Sequence, residues 1–105
     1  MSEVIRPTET IRAENLYTDQ DMSVALVALN GINRSTINYG STTTYEVITG
    51  RGIMFVDRMM HAIEPGAKIT VPQGTAYYDA GKDVVMWATS TPPFNMDSVV
   101  EVDKN

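Results

Sequence analysis

The sequence predicts an all-β domain, and three observations carry the prediction. Short stretches rich in β-branched and aromatic residues recur along the chain. Turn-forming residues separate them at intervals of roughly 8–12 residues, the spacing of a sandwich or barrel. No long segment keeps an apolar period of 3.6 residues, so no amphipathic helix competes for the same residues. A chain of 105 residues has room for one core and little else, so residues 1–105 read as one domain.

Taken in order, residues 1–15 read as an N-terminal arm, and the barrel core spans 22–97. Met22 to Leu29 (MSVALVAL) is almost continuously apolar, as a strand in a barrel wall would be. Asn30-Gly31 reads as a turn, since both residues tolerate positive φ. Thr42 to Thr49 (TTTYEVIT) is a strand that ends at Gly50, and Ile53 to Val56 continues beyond Gly52. Asp57-Arg58 is a hairpin tip from which Met59 to Ile63 returns. Glu64-Pro65-Gly66 is a turn, Lys68 to Val71 a short strand, and Pro72-Gln73-Gly74 a further turn. Ala80-Gly81-Lys82-Asp83 reads as another turn before a last strand, Val84 to Thr89, which Thr91-Pro92-Pro93 terminates. Residues 98–105 read as a tail.

Composition narrows the function classes. The net charge is −5 and the eight basic residues are scattered, which argues against binding nucleic acid, where clustered Lys and Arg must neutralise phosphates. Absence of cysteine excludes a disulfide framework, a thiolate metal site and a cysteine nucleophile. Charged residues interrupt the stretch Met1 to Leu16, so neither a secretory signal nor a membrane span is expected there, and a cytoplasmic protein is the default expectation.

The glycines and prolines fall into a pattern. Gly31, Ile37, Tyr39, Thr43 and Gly50 stand at the spacing G-x5-H-x-H-x3-E-x6-G. Gly66, Pro72, Gly74 and Tyr77 stand at the spacing G-x5-P-x-G-x2-H. Two motifs in this order and separation resemble those of the cupins, in particular small single-domain members of the RmlC-like superfamily. The resemblance covers residues 22 to about 97 and implies a double-stranded β-helix, or jelly-roll barrel. It lies in the structural residues, where the chain bends and glycine bends at least cost.

The departures lie at the chemistry. In the family, two histidines, a glutamate and a third histidine converge on a metal, and the matching positions here are Ile37, Tyr39, Thr43 and Tyr77. Isoleucine binds no cation, and neutral hydroxyls are poor substitutes for imidazole and carboxylate. The resemblance therefore implies a barrel without a metal and without another cofactor. Its interior, lined by Ile37, Tyr39, Thr43, Tyr45 and Tyr77, is expected to hold a sugar-like or aromatic metabolite. The alternative is a metal-independent isomerase, epimerase or cyclase in which Tyr77 or Tyr39 moves a proton, although a free tyrosine titrates near pH 10 and needs tuning. His61 stands where the family has no functional group and reads as a surface or strand-edge residue. Glu46 has the parity of the outer face. Trp87 reads as a core or interface residue rather than a sugar platform. Small cupins commonly pair by exchanging an N-terminal strand, so a homodimer is expected, with the arm before Tyr17 as the exchanged segment.

Overall fold

The computed structural model describes residues 3–5 and 11–102, the side chains of residues 3–5 and of Arg34 excepted. The rest of the expected arm and the last three residues of the expected tail lie outside the described residues. Among the described residues, eight strands form one antiparallel sheet: β1 (Glu3–Ile5), β2 (Ile11–Thr18), β3 (Ser23–Asn38), β4 (Thr42–Val56), β5 (Met59–Ile63), β6 (Lys68–Val71), β7 (Ala76–Thr91) and β8 (Val99–Glu101). The spine is β3–β7–β4, three strands of 15 or 16 residues each.

These long strands change neighbours half way. The first half of β3 pairs with β2 and its second half with β8. The first half of β4 pairs with β6 and its second half with β5. The changeover is marked by a row of glycines, Gly31 opposite Gly81 and Gly81 opposite Gly52, with register shifts beside it on β3 and β4. The sheet folds over there into two layers that enclose one core, with Leu29, Val47 and Met86 on one side and Met54, Val56 and Ile63 on the other.

Asn30-Gly31 and Ala80-Gly81-Lys82-Asp83, expected as turns, therefore lie inside continuous strands, as does Gly50, expected as a strand end. Turn-forming residues appear there because the backbones crowd. A Cβ on Gly52 would run into the Ala80 carbonyl and the Gly81 backbone. Gly50 has φ +89°, a conformation that side chains disfavour. The other turns are as expected: Asp57 and Arg58 both take positive φ at the tip of the β4–β5 hairpin, and turns separate β5 from β6 and β6 from β7.

Residues 11–15, expected in an arm, begin β2 and pair along β3 from Ile11↔Leu29 to Asn15↔Ala25. Ile11 and Ala13 pack against the core while Arg12 between them is exposed, so period-2 alternation fastens this segment to the wall. Part of the expected tail likewise forms β8. Among the described residues no helix is long and apolar enough to cross a membrane.

Candidate functional site

The first halves of the spine strands carry their inward residues in rungs of graded polarity. Nearest the fold line are Leu29 and Val84, then Val27, Met86 and Val47, then Ala25, Ala88 and Tyr45, and last Ser23, Ser90 and Thr43. The large apolar side chains plug the end next to the glycines. The alanines leave room at the other end, where a cavity of about 230 Å³ opens between the layers. Thr43 and Ser90 hydrogen-bond each other across its wall at 2.9 Å.

On the facing layer the cavity is lined by Asn33, Thr36 and Asn38 of β3 and by Tyr77 and Asp79 of β7. The register slips between Asn33 and Thr36: β3 advances three residues from Asn33↔Asp79 to Thr36↔Tyr77 while β7 advances two. One extra residue reverses the alternation beyond it. This bulge corrects two sequence-based expectations. Ile37 is half-buried and Tyr39 is 55% exposed, and neither lines the cavity. Thr36 and Asn38 stand there instead. Thr43, Tyr45 and Tyr77 do line it, as expected. Glu46 is exposed, His61 is half-buried opposite Met54 on β5, and Trp87 is on the outer face at 39% exposure rather than in the core.

The phenols of Tyr45 and Tyr77 are 3.2 Å apart, with the rings tilted by 46°. Burial drives both upward. It raises Tyr77 to about 12, against a smaller downward pull from its hydrogen bond to Tyr45. Tyr45 is raised well above its ordinary value, by burial first and by its neighbour Tyr77 second. Both are thus neutral hydrogen-bonding groups at physiological pH, poor as bases.

Asp79, which the motifs do not mark, is the cavity's buried acid. It is 1% exposed, and its Oδ1 accepts a 2.9 Å hydrogen bond from Asn33 Nδ2. Burial raises its carboxyl to about 6, the Asn33 hydrogen bond acting in the opposite direction. A carboxyl titrating there can take up or release a proton close to neutrality. Its sequence signal was period 2: Asp79 follows Tyr77 by two on one strand and so shares its face.

No protein-family model matches the chain, and no curated protein matches it by sequence. Solved structures do match its fold. A variant of PAC13 from Streptomyces, with uridine, superposes with a TM-score of 0.85 at 24% identity, covering 97% of this chain and 85% of that one; another structure describes Pac13 as a nucleoside dehydratase. Ectoine synthase from P. lautus gives 0.77 at 17% identity, over 97% of this chain and 82% of that one. An RmlC-like cupin from Shewanella frigidimarina gives 0.74 at 13% identity, over 87% and 84%. The fold is that of a cupin.

Cupins of the motif-bearing kind hold a metal on histidines and a carboxylate, and the residues of this cavity do not fit one. The acidic groups lining the cavity are Asp79 and Glu101, and no imidazole joins them. Among the described residues no three of His, Cys, Asp and Glu come together as a ligand set. Amides and neutral hydroxyls fill the remaining polar positions, a donor set ill suited to the borderline metals that imidazole selects. Ile37, the least metal-like of the four motif residues, plays no part in this, because the bulge removes it from the wall.

Proposed function

We propose that this cupin binds a small sugar-like or aromatic metabolite in its cavity, and binds it without a metal. The observation that carries the reading is the convergence of Asn33, Thr36, Asn38, Thr43, Tyr45, Tyr77 and Asp79 on one cavity whose wall continues into the buried core cluster of Leu29, Met54 and Met86. A concave site with an apolar body and a few placed polar groups is the usual form of a small-molecule pocket. Uridine in structures of PAC13 supports a ligand with a sugar and a flat ring as the first to try. The same groups would serve a metal-independent isomerase, epimerase or cyclase, with Asp79 rather than a tyrosine moving the proton.

Thermal unfolding with a panel of sugars, nucleosides and aromatic metabolites, with product formation read alongside, tests this. A true ligand at about 100 times its Kd stabilises by about 2.7 kcal/mol, a rise in Tm of about 10 °C or more for a domain of this size. The rise is expected to survive EDTA and to vanish in Ala88→Phe, which fills the cavity. If no member of the panel raises Tm, or if EDTA abolishes the rise, the reading fails.

A further inference from the structure

Among the described residues, the cationic side chains lie outside the cavity. Arg12, Arg51, Arg58, Lys68 and Lys82 are all exposed, and none of them lines the cavity. Among the described residues, the charged groups facing the cavity are Asp79 from β7 and Glu101 from β8. The described groups contributed by β2, β3 and β4, among them Asn15, Asn33, Asn38, Thr43 and Tyr45, are neutral. A carboxylate 1% exposed would ordinarily be held by a guanidinium or an ammonium, because an uncompensated buried charge is costly. Asp79 has instead a neutral amide, on one of its two oxygens. Beside it stand the two tyrosine rings, whose π faces attract cations.

We infer that the cavity is built for a ligand carrying a protonated amine, with the ammonium on Asp79 and within reach of the Tyr45 and Tyr77 rings. The inference rests on the small-molecule reading above and narrows it to cationic ligands such as amino sugars and aryl amines. The ammonium supplies Asp79 with a counter-charge that none of the described cations gives it. Asn33 holds the carboxylate in place through Oδ1 and leaves Oδ2 to the ligand. Neutral isosteres would forfeit the ion pair, and anionic ones would meet the Asp79 carboxylate.

Isothermal titration with matched pairs tests the assignment: benzylamine against benzyl alcohol, and glucosamine against glucose, at pH 7.5 and low salt. The amine of a pair is expected to bind at least about tenfold more tightly than its neutral partner, with the advantage shrinking as salt is added. The advantage is expected to disappear in Asp79→Asn, and binding of the amine to weaken as pH falls through the titration of Asp79. Should Asp79→Asn fail to fold, the wild-type pairs and their salt dependence decide alone. Neutral partners binding as well as amines would overturn the inference and leave the small-molecule reading standing. No binding by any of the four would also overturn it, whereas the small-molecule reading falls only if the wider panel fails as well.

Discussion

Asp79 is costly to the fold it belongs to. Folding raises its carboxyl from the ordinary 3.8 to about 6 because the charged form loses water that a single amide cannot replace. A group raised in this way contributes most below its unfolded value, and its contribution is lost as pH rises through the folded one. The loss across that range is about 3 kcal/mol at most. Asp79→Asn keeps the shape and drops the charge. Urea unfolding should therefore show the variant gaining stability relative to wild type between about pH 4 and pH 7.5. An equal difference at both pH values would mean that Asp79 is not destabilised by burial. Asp19 runs the other way: hydrogen bonds from Tyr17 and from the Asp21 and Met22 amides lower its carboxyl, so its contribution is lost as pH falls. It is fully exposed, and the Asp79 comparison, made within one pair of proteins, cancels it.

The strands show where sequence reading succeeds and where it stops. Gly31, Gly50, Gly66, Pro72 and Gly74 identified the barrel because each answers a local backbone demand that a spacing can record. Whether a glycine ends a strand or lets it continue through a crowded crossing depends on the strand opposite, which the spacing does not contain. Gly52 and Gly66 look alike in the sequence, yet one lies against the Ala80 carbonyl and the other has open space where a Cβ would go. The bulge between Asn33 and Thr36 was equally hidden, since only the partner strand counts two residues against three. Tyr45, Thr43 and Tyr77 were legible because alternation on β4 and β7 is regular there, whereas Tyr39 and Ile37 were misassigned by one extra residue. Glycine replacements separate these cases. Gly66→Ala, strained at φ +91° but unobstructed, is expected to cost about 1–2 kcal/mol. Gly50→Ala, with φ +89° and the Asp83 backbone in the way, is expected to cost more than about 3 kcal/mol. Equal losses in chemical denaturation would contradict the crowded crossing.

Among the described residues, several large apolar side chains stand on the exterior of this acidic barrel. Trp87, Ile48 and Ile53 are more than a third exposed, Met59 and Met60 about two thirds, and Phe55 stacks on Tyr78 at 4.8 Å across neighbouring strands. The β1–β2 hairpin lies at one edge of the sheet and β5 at the other end of the strand order. Both features suit the homodimer expected from the resemblance, and light scattering is predicted to give twice the 11.6 kDa chain mass, where a persistent monomer at high concentration would refute it. The interior is organised on a different principle, because its chemistry depends on the parity of one short segment. Deleting either residue between Asn33 and Thr36 would restore an even count against β7 with Thr36 still opposite Tyr77, so Thr36 and Asn38 would keep their place on the cavity wall. In descent from a common barrel, a one-residue gain or loss at this point can be absorbed by the bulge while the residues beyond it keep their face and the glycines that fold the sheet stay untouched.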